Sequence, residues 1–336
     1  MEIRNSKVLV VGGAGFIGSE LVHQLVDAGA TVTVLDDLTN GKRENLADIA
    51  GRMQLVVGDL RNRELVTKHM AGTQIVFHLA CLGVRHSIHS PHENADVNAT
   101  GTLGLLDMAK AANVGRFVYV SSSEVYGTAM HVPMTELHPA FPMTVYGAGK
   151  LAGECYTRAY HRTYGFPTVV VRPFNAYGPR SHHEGDSGEV IPKFVLRGMA
   201  GKPLIIFGDG TQTRDFTFVS DTARGIMLSG LANEAIGETL NIGSGFEITV
   251  NDLVNEVRQV LGNANLKVVH DVDRPGDVLR LYADMTRAAK IINFRPSISL
   301  GEGLKRLHQW YLSTGIAPEE MLKTEVTHNW LEKKAG

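Results

Sequence analysis

The sequence predicts an α/β protein: a doubly wound parallel sheet in the first half of the chain and a smaller α/β lobe on the C-terminal side. Three observations carry this. Six short apolar runs rich in β-branched residues, at 8–11, 31–35, 55–57, 75–79, 117–121 and 168–172, alternate with longer segments of helical spacing. Strands that alternate with helices build parallel sheets, because each crossover helix returns the chain to the same edge. A glycine-rich turn at 12–18 joins the first strand to the first helix. After Pro173 the alternation stops, which marks a second unit.

Between the strands, 17–28, 98–112 and 146–163 carry apolar residues at helical spacing. A Gly/His/Ser-rich loop follows at 177–188, then a helix near 191–200 and a strand at 204–207. The stretch 211–245 contains one further helix, 221–231, and a strand, 239–242, expected to rejoin the main sheet. A segment at 249–261, a strand near 266–269 and helices at 285–292 and 300–314 complete the lobe. The last ~15 residues have weak periodicity and are expected to form a loosely docked helix. The expected division is 1–175, with 211–245 returning to it, and a lobe of 176–210 and 246–336.

Composition narrows the class. The 336 residues suffice for one large domain with an appended lobe, and the formal net charge of −2 gives no footprint for nucleic acid. The apolar run 8–11 ends at glycine, too short for a signal peptide, and no segment has the length of a membrane span. Cys81 and Cys155 lack metal-ligand spacing, so reduced thiols and a cytoplasmic setting are expected.

The run 8–11 enters Gly12-Gly13-Ala14-Gly15-Phe16-Ile17-Gly18, and a helix begins there. The spacing reads as G-x-x-G-x-x-G through Gly12, Gly15 and Gly18, or as G-x-G-x-x-G through Gly13, Gly15 and Gly18. Either way the backbone can approach a pyrophosphate at a helix N-terminus, which makes the sheet Rossmann-type. Asp36 ends the next strand, where a carboxylate accepts hydrogen bonds from ribose hydroxyls and repels a 2′-phosphate. Lys42 and Arg43 come six and seven residues later, so NAD rather than NADP is the expected cofactor. Asp59, after the third strand, is placed to meet the adenine edge.

Tyr146 and Lys150 form Y-x-x-x-K, downstream of Ser121-Ser122-Ser123-Glu124. One helical turn puts the ammonium on the phenol's face, where a positive charge favours phenolate. With a nicotinamide and a hydroxyl alongside, the set can take a proton and a hydride from a secondary alcohol.

Together these residues resemble the extended short-chain dehydrogenase/reductase superfamily, in its nucleotide-sugar epimerase/dehydratase family of the UDP-glucose 4-epimerase kind. Further carriers are Gly58-Asp59-Leu60, His78-Leu79-Ala80, Asn98 with Gly101-Thr102, the run from Arg172 to Pro179 and the stretch 208–221. The resemblance implies that Tyr146 exchanges a proton with a sugar hydroxyl, that Lys150 holds the nicotinamide ribose, and that Ser122 or Ser123 bonds the reacting oxygen. It also implies cofactor contacts from Phe16, Ile17, Leu60 and Ala80. Asn175 and Arg214 would bind the substrate diphosphate, with Arg274 or Arg280 as a second arginine, and Arg85 or His86 would face the sugar. Relatives of this kind pair as homodimers through two long helices, here 98–112 and 146–163.

The net reaction rests on fewer residues. An epimerase returns the hydride to the other face of a 4-keto sugar, a 4,6-dehydratase first eliminates water across C5–C6, and a decarboxylase first loses carbon dioxide. The triple serine resembles epimerases, and Gly83-Val84-Arg85-His86-Ser87 resembles uronic-acid epimerases. Glu124 resembles the glutamate of dehydratases and decarboxylases, which need an acid and a base at the sugar. A C4 epimerase of a UDP-sugar is the leading expectation. A lyase using Glu124 is the alternative, and a non-catalytic NAD-binding sensor is the least favoured. His86, His89 and His92 recur every three residues around Pro91, a spacing unlike helical zinc ligands, so no metal is expected.

Overall fold

The computed structural model describes residues 1–185, 187–273, 278–328 and 330. The first six strands are β1 (Lys7–Val11), β2 (Thr31–Asp36), β3 (Gln54–Val57), β4 (Ile75–His78), β5 (Arg116–Val120) and β6 (Thr168–Pro173). Then come β7 (Asn175–Tyr177), β8 (Leu204–Phe207), β9 (Thr213–Arg214), β10 (Phe216–Phe218), β11 (Thr239–Ile242), β12 (Ile248–Thr249) and β13 (Val268–Asp271). Among the described residues the main sheet has seven strands in the order β11-β6-β5-β4-β1-β2-β3, and every pair is parallel. This is the doubly wound α/β sheet that the sequence predicts.

Both faces are covered, which explains why the strands read as continuous apolar runs. In β1, Val8 and Val10 pack into one core with helices Phe16–Asp27 and Val219–Leu231. Leu9 and Val11 point to the opposite core, beside Val66 and Met70 of the helix Arg63–Met70 and Leu105 and Leu106 of the helix Thr102–Ala111. Strand order reverses between β1 and β4, and ligands bind outside the carboxyl ends of strands at such a switch point. The glycine turn leaves β1 there.

The lobe has its own core. Strand β8 pairs in parallel with β13, and helices Val190–Met199, Val250–Leu261 and Leu300–Ser313 close over it through Phe194, Leu253, Val257, Leu304 and Leu307. The short pairs β7–β10 and β9–β12 connect it to the sheet. Among the described residues no helix is long and apolar enough to cross a membrane.

Two elements depart from the sequence reading. The expected helix 98–112 is a π-helical turn, Asp96–Gly101, followed by the α-helix Thr102–Ala111. The Asn98 side chain bonds Leu82 while Thr102 Oγ1 donates to Asn98 O (2.7 Å), and such a bulge re-aims one side chain. Among its described residues the C-terminal stretch is helical at Pro318–Met321 and in the turn Leu322–Thr324. Beyond it, Glu325 pairs with Arg197 (2.5 Å) and His328 with Asp271 (2.9 Å), so polar ties to the lobe fix this segment.

Candidate active site

At the end of β1, Gly12 has φ +85°, and a Cβ there would lie 2.4 Å from Ala80 N. A Cβ on Gly18 would lie 2.1 Å from Gly12 O, so the turn and the helix start close only without side chains. Gly15 differs. The nearest protein atom to a Cβ there is Gly12 O at 3.5 Å, so the chain itself does not require glycine at this position. Gly15 is the N-cap of the helix Phe16–Asp27, where free backbone N–H groups favour an anion. The open side of Gly15 fits a pyrophosphate. Phe16 is buried and packs inward, Ile17 is half-buried, and Ala80 closes the turn through Ala80 N to Val11 O (2.8 Å).

Asp36 is buried. Its Oδ2 accepts from Ala14 N (2.8 Å) and its Oδ1 from Leu38 N (2.9 Å). Burial raises its pKa, and the two amides work against that rise. Each oxygen keeps a lone pair for a ribose hydroxyl. Asp59 is committed elsewhere: Arg61 grips both of its oxygens (2.6–3.0 Å) and also holds Asp96 (2.7 Å). The Arg61 hydrogen bonds hold the Asp59 carboxyl below its ordinary value. Leu60 is buried against the helix side of this corner.

The helix Val145–Tyr164 starts where the Thr144 side chain accepts from Gly147 N (3.0 Å). Gly147 lets this first turn ride on the Ser122–Glu124 corner, since a Cβ there would lie 2.8 Å from Glu124 O. Tyr146 therefore reaches the end of β5, and its phenol sits beside the Ser122 side chain, which works to lower the phenol's pKa. Ser122 Oγ also accepts from Glu124 N (3.2 Å), whereas Ser123 is buried at 4 % exposure. Of the two serines, Ser122 is thus the one beside the phenol.

Lys150 is 2 % exposed, donates to Val120 O (2.9 Å) and lies 6.0 Å from the Tyr146 ring centroid. The sequence reading expects this charge to lower the phenol's pKa. Burial prevails and pushes the phenol well above 10. Cys81 and Glu124 add to the rise, and the neighbouring Ser122 hydroxyl opposes it. Burial, and then the Lys150 charge, push the nearby His78 down to about 3, so that imidazole is neutral.

On the sugar side, Asn98 holds Leu82 through N–H and C=O (both 2.9 Å) and Asn94 donates to Leu82 O and Gly83 O (3.0 and 3.1 Å). This clamp sets the start of the helix Val84–His89, which carries Arg85. Arg85 is half-buried and has no ion-pair or hydrogen-bond partner among the described residues. His86 pairs with Glu93 (3.3 Å). Asn175 Nδ2 is buried without a partner among the described residues, a donor left for a ligand. Arg214 donates to Thr213 O (2.8 Å) and Val278 O (2.5 Å), and with Lys193, Arg197, Phe207 and Gln212 it lines a cavity in the lobe. Arg280 is bound to Glu247, and Arg274 lies outside the described residues. Among the described residues no three His, Cys, Asp or Glu side chains are grouped to hold a metal ion.

Residues that the sequence did not single out as site residues complete the picture. Asn94 precedes Asn98 by one helical turn, and Glu154 follows Lys150 by one. That spacing is the available signal for both. Glu184 and Cys81 carry no such signal.

Comparison with known proteins is consistent along the whole chain. The model of the GDP-mannose 4,6 dehydratase family matches residues 9–307. The UDP-glucose 4-epimerase of Mycolicibacterium smegmatis is 35% identical over 311 residues, covering 91% of this chain and 98% of its own. The epimerase Mth375 of Methanothermobacter thermautotrophicus superposes with a TM-score of 0.89 at 36% identity, covering 96% of each chain. The dTDP-glucose 4,6-dehydratase DesIV of Streptomyces venezuelae, crystallised with NAD, superposes with a TM-score of 0.85 at 36% identity, covering 91% of this chain and 97% of that one. The chain belongs to the GDP-mannose 4,6 dehydratase family, within the nucleotide-sugar epimerases and dehydratases of the extended short-chain dehydrogenase/reductase superfamily.

Proposed function

We propose that the protein is an NAD-dependent epimerase that inverts C4 of a UDP-sugar through a transient 4-keto sugar, with the cofactor recycled in place. The observation that carries this reading is the corner formed by Ser122, Tyr146 and the buried Lys150, whose ammonium lies 6.0 Å from the Tyr146 ring centroid. Tyr146 takes the proton of the C4 hydroxyl and later returns it, Ser122 bonds the reacting oxygen, and Lys150 orients the nicotinamide ribose. When bound, NAD supplies the hydride acceptor and a positive ring charge that opposes the burial of a phenolate. Gly12, Gly15 and Gly18 with Phe16 and Ile17 would hold its pyrophosphate, Asp36 the ribose, and Leu60 and Ala80 the walls. Asp59 would stand at the adenine edge, braced by Arg61.

Elimination across C5–C6 calls for both an acid and a base, and beside Glu124, at the preceding position, the chain has the buried Ser123. This favours epimerisation over a dehydratase, and Glu124 keeps a decarboxylase as the second reading. Asn175, Arg214 and Arg274 would bind the diphosphate, with Arg85 toward the sugar. Residues 1–175 with 211–245 form the dinucleotide-binding part in this reading, and 176–210 with 246–336 the sugar-nucleotide lobe.

We further assign a cytoplasmic homodimer. Its candidate faces are the helices Thr102–Ala111 and Val145–Tyr164, which leave Leu103, Val145 and Tyr164 exposed. Incubation with a panel of nucleotide sugars, without added NAD, tests the reaction. An isobaric product inverted at C4 by NMR is expected. Loss of water or of carbon dioxide would replace the epimerase with a lyase.

A further inference from the structure

We propose that residues 180–184 form a strap that retains the dinucleotide, fastened across its groove by two ion pairs, Glu20–Arg180 and Lys42–Glu184. The inference rests on the reading of the glycine turn and Asp36 as the cofactor site.

Both anchors lie beside the glycine turn. Glu20 is on the helix Phe16–Asp27, two residues past Gly18, and its Oε2 accepts from Arg180 Nη2 at 2.5 Å. Lys42 lies beyond Asp36, but its backbone folds back on the glycine turn. Lys42 N donates to Ala14 O (3.0 Å), Asn45 Nδ2 donates to the same oxygen (2.8 Å), and Ala14 N donates to Asp36. The Lys42 ammonium then reaches out to Glu184. The two ion pairs thus tie residues 180–184 to the first helix and to the loop that packs on the glycine turn.

The strap is built to hold this position. Gly178 (φ +144°) and Arg180 (φ +69°) turn the chain sharply, and Ser181 bonds Gly178 O through both N (3.2 Å) and Oγ (2.6 Å). A non-glycine residue at positive φ is strained and persists where its surroundings enforce it. Arg180 and Glu20 are 17 % and 19 % exposed, drier than an ordinary surface pair. Burial works to raise the Glu184 carboxyl, but the neighbouring His182 (3.6 Å) and the Lys42 ammonium prevail and hold it well below the carboxylate range. Past Glu184, Gly185 N donates to Thr324 O (2.8 Å), which ties the strap's far end to the lobe. Release of the cofactor therefore requires the lobe side to let go of the dinucleotide side. An enzyme that returns its hydride each turn gains from slow release.

The test is the dissociation rate of NADH, followed by its fluorescence during a chase with excess NAD. Glu184→Gln and Glu20→Gln are each expected to speed release roughly tenfold, and the double variant more than either, since loss of a pair appears mainly in the off-rate. Lys42→Glu alone is expected to speed release too, while Lys42→Glu with Glu184→Lys restores it to within about threefold of the wild type. The swapped pair keeps the test valid if a single variant folds poorly. Wild-type release rates in the single variants, with or without lost thermal stability, overturn the strap, as does a swapped pair no slower than Lys42→Glu. A wild-type protein that binds no NADH overturns the dinucleotide reading itself, and the strap with it.

Discussion

The Glu154 carboxylate and the Arg172 guanidinium face each other in two hydrogen bonds, 2.8 Å from Nε and 2.6 Å from Nη2, with Glu154 fully buried and Arg172 4 % exposed. Glu154 lies one turn past Lys150, and Arg172 is in β6. Arg158 adds a third bond to Glu154 (2.9 Å), and the Arg172 group stacks 4.6 Å over the Tyr126 ring. The pair pins the helix bearing Tyr146 and Lys150 to the sheet. Glu154→Gln leaves a buried guanidinium without its charge partner, so the unfolding free energy is expected to fall by about 3–5 kcal/mol. Urea denaturation measures it, and a loss under about 1 kcal/mol would remove this anchoring role.

How much of this was legible follows from how local each signal is. The strands of the main sheet were readable because both faces are buried, so β-branched residues run without interruption, as at 75–79 and 168–172. The glycine turn and Asp36 were readable from spacing, since sterics act within a few residues. The lobe's strands β7, β9, β10 and β12 have two or three residues each, too few to show a period. Lys42 and Glu184 are 142 positions apart, and nothing in either neighbourhood announces the other. Ser122 and Ser123 were indistinguishable in sequence because adjacent residues differ only in the direction the backbone gives them.

That direction now separates the two serines. Ser122 sits beside the Tyr146 phenol, and Ser123 is buried. Ser122→Ala is expected to lower kcat about 100-fold, the usual cost of one donor aimed at a reacting oxygen. Ser123→Ala should stay within about threefold, its cost being one modest buried hydroxyl. Steady-state kinetics decide, and equal losses in both variants would undo the assignment.

Among the glycines of the turn, sterics within the chain distinguish Gly18 from Gly15. A Cβ at Gly18 meets backbone at 2.1 Å, so Gly18→Ala should destabilise the fold itself as well as the cofactor site. A Cβ at Gly15 meets nothing closer than 3.5 Å, so Gly15→Ala should melt like the wild type. Its methyl would fill the space that fits the pyrophosphate, and NAD affinity is expected to drop at least about tenfold. Thermal melting with isothermal titration of NAD checks both halves. Undiminished affinity in Gly15→Ala would place the dinucleotide elsewhere.

Glu189 supplies the pH dependence. It precedes the helix Val190–Met199, and burial raises its carboxyl from 4.5 to about 7, with the Glu184 charge adding to the rise and His182 opposing it. The folded state thus holds this proton more tightly than the unfolded chain. Between pH 4.5 and about 7 the native protein binds more protons, so this group's contribution to stability falls as pH rises through that window and is level above it. Glu189→Gln removes the titration. Relative to the wild type, the variant is expected to gain roughly 1–3 kcal/mol of stability on going from pH 4.5 to pH 8, less than full burial would give because the side chain is partly exposed. Paired urea titrations at the two pH values measure the difference between the proteins, in which shared titrations cancel. A flat difference, or a gain at the acid end, would show that Glu189 is ionised at neutral pH and stabilised by His182 instead.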